Sequence, residues 1–205
     1  MLKNFLAAFS IASLTAIAPS YTEEAKTKGV YFVGSAGLGQ MADINIHSSD
    51  GGGQMKFDSG FAGELGIGYD FGPIRTQFIF NSINSDLTSI QGTAVDIGVD
   101  SSSYLFEGAI DFRDGKDWQP YIGLGVGKSK INVTLAQTVG NVALTVGDDS
   151  ITSAIGRLGV AYKASDNLDV YAEGWALAYE DFTIGTVEFY GCGMTGASLG
   201  VRVRM

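Results

Sequence analysis

The chain has 205 residues, a formal net charge of −9 at pH 7 and a sequence pI of about 4.4. So acidic a chain lacks the surplus of Lys and Arg that a nucleic-acid backbone demands, and a nucleic-acid partner is therefore excluded from the expected roles. Its 29 glycines follow no fixed period, which excludes a collagen-like chain, and its 12 Phe and 9 Tyr exclude a disordered one. The single cysteine, Cys192, has no partner for an internal disulfide.

The N-terminal segment has the three parts of a secretory signal peptide. Lys3 lies near the start, an apolar run covers residues 5–18, and small residues follow. The run is shorter than the ~20 residues of a membrane-spanning helix, which argues against a retained anchor. We expect cleavage after Ser20, so that residues 1–20 are removed. Residues 21–205 should form one domain, because no charge run or Pro/Ser-rich linker divides them.

Beyond this segment, strict alternation of large apolar residues with small or polar ones predicts β-strands. In the first strand, small residues occupy both alternating sets of positions. The sequence therefore leaves open which set faces inward, and it allows for a bulge there. Short turns alternate with long connections, which in an up-and-down barrel places every long loop at one end. The sequence therefore predicts eight antiparallel strands. They cover residues 30–39, 61–71, 74–81, 104–113, 118–130, 154–163, 168–173 and 197–205, with long loops at 40–57, 85–101, 131–150 and 179–195.

The composition of the two strand faces indicates which of them points outward. Eight strands enclose an interior only wide enough to be filled by side chains, so that an inward face rich in Phe, Tyr, Leu and Ile would overpack it. Glycine weakens strands, and a water-exposed face gains nothing from it. The pattern therefore predicts a transmembrane β-barrel with its apolar face in lipid. Aromatic residues near the strand ends predict two girdles, with Phe61 and Tyr104 at the long-loop rim and Phe71, Phe112, Trp118 and Tyr162 at the short-turn rim.

Two segments resemble strands of the OmpA-type family of small, porin-like outer-membrane β-barrels. WQPYIGLGVG at 118–127 is similar to the family's fifth strand, and LGVRVRM at 199–205 is similar to its last. The family usually ends in an aromatic residue that the assembly machinery reads, whereas Met205 stands here. The resemblance implies a barrel in the bacterial outer membrane, without the peptidoglycan-binding domain that larger relatives carry.

Charged residues recur on the predicted inward face. An unpaired charge there is costly, whereas pairing with added hydrogen bonds offsets the cost, so we expect an ion-pair network that plugs the lumen. Arg157 and Glu173 lie at similar heights on adjacent strands. Two roles remain open, structural filling, which we favour, and a gate for a narrow channel. The expected network comprises Glu64, Arg75, Glu107, Asp111, Arg157, Glu173 and Arg202.

The long loops offer weaker candidates. His47 lies beside Ser48, Ser49 and Asp50, residue types that a lipid A-modifying enzyme could use, but neighbours on a glycine-rich loop have no fixed geometry, and we expect a solvated side chain. Acidic residues dominate these loops and should attract cations. The pair Asp148-Asp149 matches no calcium-loop spacing. We therefore expect no catalytic, cofactor or metal site.

Residues 131–146 read as a hairpin that turns near Gly140-Asn141 and projects beyond the membrane, where its edge could bind a partner by strand addition. The expected protein is a monomeric, non-enzymatic barrel in contact with outer-membrane lipid and lipopolysaccharide. Its role would be structural or in surface interaction at the cell envelope. A narrow small-solute channel is the alternative, and a lipid A-modifying enzyme a more distant one.

Overall fold

Strand pairing closes the chain into a ring in the computed structural model, which describes residues 28–48, 51–90, 92–113, 117–137, 140–184, 187–189 and 192–205. The expected signal peptide lies outside the described residues. The strands are β1 (Gly29–Met41), β2 (Ile44–Ser48), β3 (Gly51–Asp70), β4 (Ile74–Ile90), β5 (Thr93–Asp111), β6 (Trp118–Gln137), β7 (Gly140–Lys163), β8 (Leu168–Tyr179), β9 (Phe182–Ile184), β10 (Val187–Phe189) and β11 (Gly193–Arg204).

Eight of these strands form the barrel, in the order β1-β11-β8-β7-β6-β5-β4-β3, and β1 pairs with β3 to close it. Every pairing is antiparallel, which confirms the predicted architecture. β2 pairs only with the outer part of β3, and β9 and β10 form a separate hairpin. No helix among the described residues is long and apolar enough to cross a membrane.

Inward and outward residues alternate along β1 without interruption, which the sequence left open. Tyr31 and Val33 are buried inside the barrel and Phe32 points outward. β1 pairs with β11 and β3 without a register shift, so it contains no bulge there. The register shifts lie instead near the outer ends of β3, β4 and β6.

Strands replace much of the expected long loops, and this part of the prediction was wrong. β4 continues to Ile90 and β5 begins at Thr93, and Gly92 between them has a φ of +81°. Residues 131–137 pair with residues 140–146, which confirms the predicted hairpin, and Gly140 is the first residue of β7. In these extensions the apolar residues, such as Val99 and Ile131, face inward and polar residues such as Asn132 face outward, the reverse of the pattern within the belt.

The outer surface of the barrel is apolar, as predicted. Leu65, Leu158 and Leu199 are each 69% exposed, although a water-soluble protein would bury such residues. Aromatic rings contact one another at both rims, with centroids 4.9 Å apart for Trp118–Tyr162 and 5.2 Å for Phe80–Tyr104. This apolar belt between two aromatic girdles is the surface that a bilayer covers.

Candidate functional site: the charged lumen

The outer end of the lumen is filled by apolar side chains. We expected small and charged residues throughout the interior, and at this end that expectation was wrong. The strands extend beyond the belt here, so their outer face meets water and their inner face forms an ordinary hydrophobic core. The buried residues of this outer plug include Met41, Phe57, Ile83, Leu87, Val99, Ile131, Trp175, Leu177 and Met194.

Deeper in the barrel, one arginine meets three glutamates in what we call the glutamate cluster: Arg157, Glu64, Glu107 and Glu173. The closest Arg157 contacts are 2.7 Å to Glu64 Oε1, 3.0 Å to Glu107 Oε1 and 2.5 Å to Glu173 Oε1. All four residues are at least nine-tenths buried. The inward phase of β3, β5, β7 and β8 brings them together from four sides of the lumen.

Neutral side chains complete the hydrogen bonding of the three carboxylates. Asn81 Nδ2 donates to Glu64 at 2.6 Å, Gln77 Nε2 to Glu107 at 2.8 Å, and the Tyr121 hydroxyl to Glu173 at 2.6 Å. Ser35 Oγ adds a longer bond of 3.1 Å to Glu64. Charge-assisted hydrogen bonds of this kind are stronger than neutral ones, so the cluster is held rigidly.

A second group of charges, the aspartate cluster, lies toward the short-turn end. Arg75 Nε is 3.0 Å from Asp111, and Arg113 Nη2 bridges Asp111 at 2.8 Å and Asp70 at 2.7 Å. Two arginines of β11 reach Asp169. The members are Asp70, Arg75, Asp111, Arg113, Asp169, Arg202 and Arg204.

Three tyrosine rings lie beside the arginines of this cluster. The guanidinium carbon of Arg202 is 5.4 Å from the ring centre of Tyr31, 5.9 Å from Tyr121 and 5.8 Å from Tyr171. That of Arg75 is 4.5 Å from Tyr121. Such cation–π contacts stabilise a buried cation that has few anionic partners.

Glycines on the neighbouring strands make room for these rings. Tyr31 pairs with Gly68, Tyr121 with Gly159, and Tyr171 with Gly200. A Cβ at any of the three glycines would overlap the phenol ring opposite. The unusual glycine content of the inward face therefore follows from close packing of aromatic side chains in a narrow barrel.

The residues expected to form one network lie in both clusters. Gln77 connects the two, since it accepts from Arg75 at 3.1 Å and donates to Glu107 at 2.8 Å. Sequence reasoning omitted four participants, although the same alternation places them on the inward face. They are Asp70, Arg113, Asp169 and Arg204.

The candidates in the expected long loops remain predictions. His47 lies on β2 opposite Gly52, and its side chain is outside the described part of the chain, as are the side chains of Asp148 and Asp149. In the described ranges, no three His, Cys, Asp or Glu residues are grouped to hold a metal ion.

No protein-family description and no curated protein matches the chain. Solved structures do. Neisserial surface protein A has 18% identity and a TM-score of 0.58, with 86% of this chain and 97% of that chain covered. The outer membrane protein OprG from Pseudomonas aeruginosa has 13% identity and a TM-score of 0.52, with 88% and 99% covered. The outer membrane protein AlkL has 14% identity and a TM-score of 0.50, with 92% and 97% covered.

At these identities the likeness establishes the fold, which is that of the small eight-stranded outer-membrane β-barrels. The predicted resemblance to OmpA-type barrels agrees with it. The apolar belt places the closed barrel in a bilayer. The chain is therefore an integral protein of the bacterial outer membrane.

Proposed function

We propose that the protein is a non-conducting, non-enzymatic barrel that presents β-hairpins at the cell surface, with a structural or surface-interaction role in the envelope. The observation that carries this proposal is the filled lumen. Side chains of the outer plug, the glutamate cluster and the aspartate cluster occupy successive levels of the barrel. A general porin needs many more strands than eight to leave an aqueous channel.

Conductance measurements on the refolded chain in planar bilayers test this proposal. We expect no resolvable current steps from the unchanged protein, nor from Glu173→Gln, because removing one charge leaves the apolar plug in place. Steady current steps from the unchanged protein would favour a narrow channel for small solutes. Steps that change in Glu173→Gln would identify the glutamate cluster as its gate.

The surface-interaction role draws on the β6–β7 hairpin. β7 pairs with β8 only from Ser153 onward, so between Gly140 and Val146 its sole strand partner in the described ranges is β6. A free strand edge offers backbone donors and acceptors to an added strand. We propose that this edge binds an extended segment of a partner protein.

Deleting residues 134–145 and measuring adhesion of expressing cells tests the role of the hairpin. A matched control deletes residues 88–95, which form the tip of the β4–β5 hairpin. We expect loss of adhesion with the first deletion alone. Equal adhesion of both variants and the unchanged protein would argue for a purely structural role.

The proposal includes a monomer that contacts outer-membrane lipid and lipopolysaccharide directly. The belt supports this, since its exposed apolar residues cover strands all round the barrel, such as Phe32 on β1, Phe106 on β5 and Val170 on β8. Sedimentation in density-matched detergent measures the oligomeric state. A dimer would contradict the proposed monomer and would indicate that part of the belt is covered by a second copy of the chain.

A further inference from the structure

The buried interior of the described barrel carries unequal numbers of acidic and basic groups. It holds six buried carboxylates, of Glu64, Asp70, Glu107, Asp111, Asp169 and Glu173, and four buried guanidiniums, of Arg75, Arg157, Arg202 and Arg204. A fifth guanidinium, of Arg113, lies at the short-turn end with 13% of its side chain exposed. With every group ionised, the interior has a net charge of −1. An uncompensated charge is costly in surroundings of low polarity, and a group there neutralises more readily than it remains charged.

The excess of negative charge lies in the glutamate cluster. Four arginines face three aspartates in the aspartate cluster, which leaves a charge of +1 there. One arginine faces three glutamates in the other cluster, which leaves −2. Carboxylates that share one site cannot all ionise freely, because each raises the cost of ionising the next.

The three glutamates differ in the number of hydrogen bonds that their carboxylates accept. Glu64 accepts from Arg157 Nη1 and Nη2, from Asn81 and from Ser35. Glu107 accepts from Arg157 Nε and Nη2 and from Gln77. Glu173 has two donors, Arg157 Nη1 at 2.5 Å and the Tyr121 hydroxyl at 2.6 Å. Its carboxylate is therefore the least stabilised of the three.

We propose that the glutamate cluster binds one exchangeable proton at neutral pH, held on Glu173 Oε2 against the Tyr121 hydroxyl. The proton comes from water and forms an O–H bond on Oε2, and the Tyr121 oxygen then accepts a hydrogen bond where it donated one. The net charge of the glutamate cluster changes from −2 to −1, which balances the +1 of the aspartate cluster. This inference concerns the interior alone and does not depend on what the barrel binds at the surface.

The charged and titratable groups around the proton come from every strand that faces it. β7 contributes Arg157, β3 Glu64 and β5 Glu107, while β6 contributes Tyr121. β8 itself adds the titratable hydroxyl of Tyr171. Side chains from β1, β4 and β11 are neutral, namely Ser35, Gln77, Asn81 and Ser198. Two carboxylates therefore oppose ionisation of Glu173 and one guanidinium favours it.

Infrared spectroscopy of the refolded full barrel detects this proton directly. At neutral pH the surface carboxylates are ionised, so a carbonyl stretch of a protonated carboxylic acid must come from a buried group. We expect this band in the unchanged protein, a shift on transfer to deuterated water, and its loss in Glu173→Gln. Absence of the band, or its persistence in Glu173→Gln, would overturn the proposal.

Urea unfolding in lipid vesicles gives an independent readout. At neutral pH Glu173→Gln should unfold at a higher urea concentration than the unchanged protein, because Gln resembles the protonated acid and needs no proton uptake on folding. Glu64→Gln, or Glu107→Gln if the first does not fold, removes a true carboxylate and should lower the folding equilibrium constant about tenfold or more.

The dependence of stability on pH has a definite sign. The unfolded chain ionises Glu173 above the usual glutamate pKa of about 4.3 while the barrel holds its proton, so the unchanged protein should lose stability as the pH rises from about 5 to about 7, by up to tenfold in the folding constant per pH unit. Glu173→Gln should lose this slope. Equal slopes in the two proteins, or equal destabilisation by Glu173→Gln and Glu64→Gln, would contradict a bound proton.

Discussion

The guanidinium of Arg157 reaches across the lumen to Glu64, with Nη2 2.7 Å from Oε1 and Nη1 2.8 Å from Oε2. β7 and β3 are diametrically opposite, since four steps separate them in either direction around the ring. This single pair therefore ties the two halves of the wall together. Its paired geometry is the one that Arg and a carboxylate prefer.

Replacing Arg157 should destabilise the barrel strongly. Arg157→Met leaves three buried carboxylates without a cation, and breaking a buried charge pair in this way costs about 3–5 kcal/mol. Urea unfolding in lipid vesicles measures the change. Arg113→Gln is the matched control, because the Arg113 side chain is 13% exposed against 3% for Arg157 and retains access to water. Equal losses for both variants would show that the three glutamates do not depend on Arg157.

The belt predicts a penalty for charge on the outer face. Leu199→Arg lies midway along β11 and should cost about 2–4 kcal/mol in a bilayer, whereas the same substitution at a water-exposed site is nearly neutral. The control is Gln40→Arg on the adjacent β1, whose exposed side chain lies near the outer rim, where about 0–1 kcal/mol is expected. Unfolding free energies in vesicles compare the two, and a harmless Leu199→Arg would contradict a lipid-facing β11.

The packing of tyrosine against glycine makes a steric prediction. Gly159→Ala places a methyl group against the Tyr121 ring and should lower stability by about 1–3 kcal/mol through overpacking. Gly108→Ala on the outer face meets nothing within 4 Å and should be neutral or mildly stabilising. Both are measured by the urea midpoint. A neutral Gly159→Ala would mean that the ring can move aside.

Cys192 lies beyond the outer rim and should react slowly. Burial raises the pKa of its thiol to about 11, and the nearby charge of Asp181 adds to the effect. Because only the thiolate attacks, alkylation by iodoacetamide should be slow at neutral pH and accelerate toward the pKa. Mass spectrometry of folded and urea-unfolded protein measures the two rates. Equal rates in both states would contradict burial of the thiol.

The alternation of apolar with small or polar residues predicts the strands and their outward faces, because each side chain of a barrel strand points either into the lumen or away from it. It could also indicate that Arg157 and Glu173 are close, since a short turn fixes the register of β7 on β8. Glu64 is different: its contact with Arg157 joins two strands four steps apart in the ring, so it depends on closure of the barrel, which no local pattern reports. The outer plug was missed for a related reason, because its segments alternate apolar with polar residues as every half-buried strand does, and only their height above the belt shows that the polar face is the one in water.

Closure of the ring by β11 has a consequence for the order of events in biogenesis. Until β11 pairs, one edge of β1 and one edge of β8 stay open, and the eleven pairings of β1 with β11 extend from Tyr31–Arg204 to Met41–Met194. Translation delivers this closing strand after every other strand of the barrel. An open strand edge is a template for pairing with another chain, so the barrel gains its protection against edge-to-edge aggregation only when its last strand is in place.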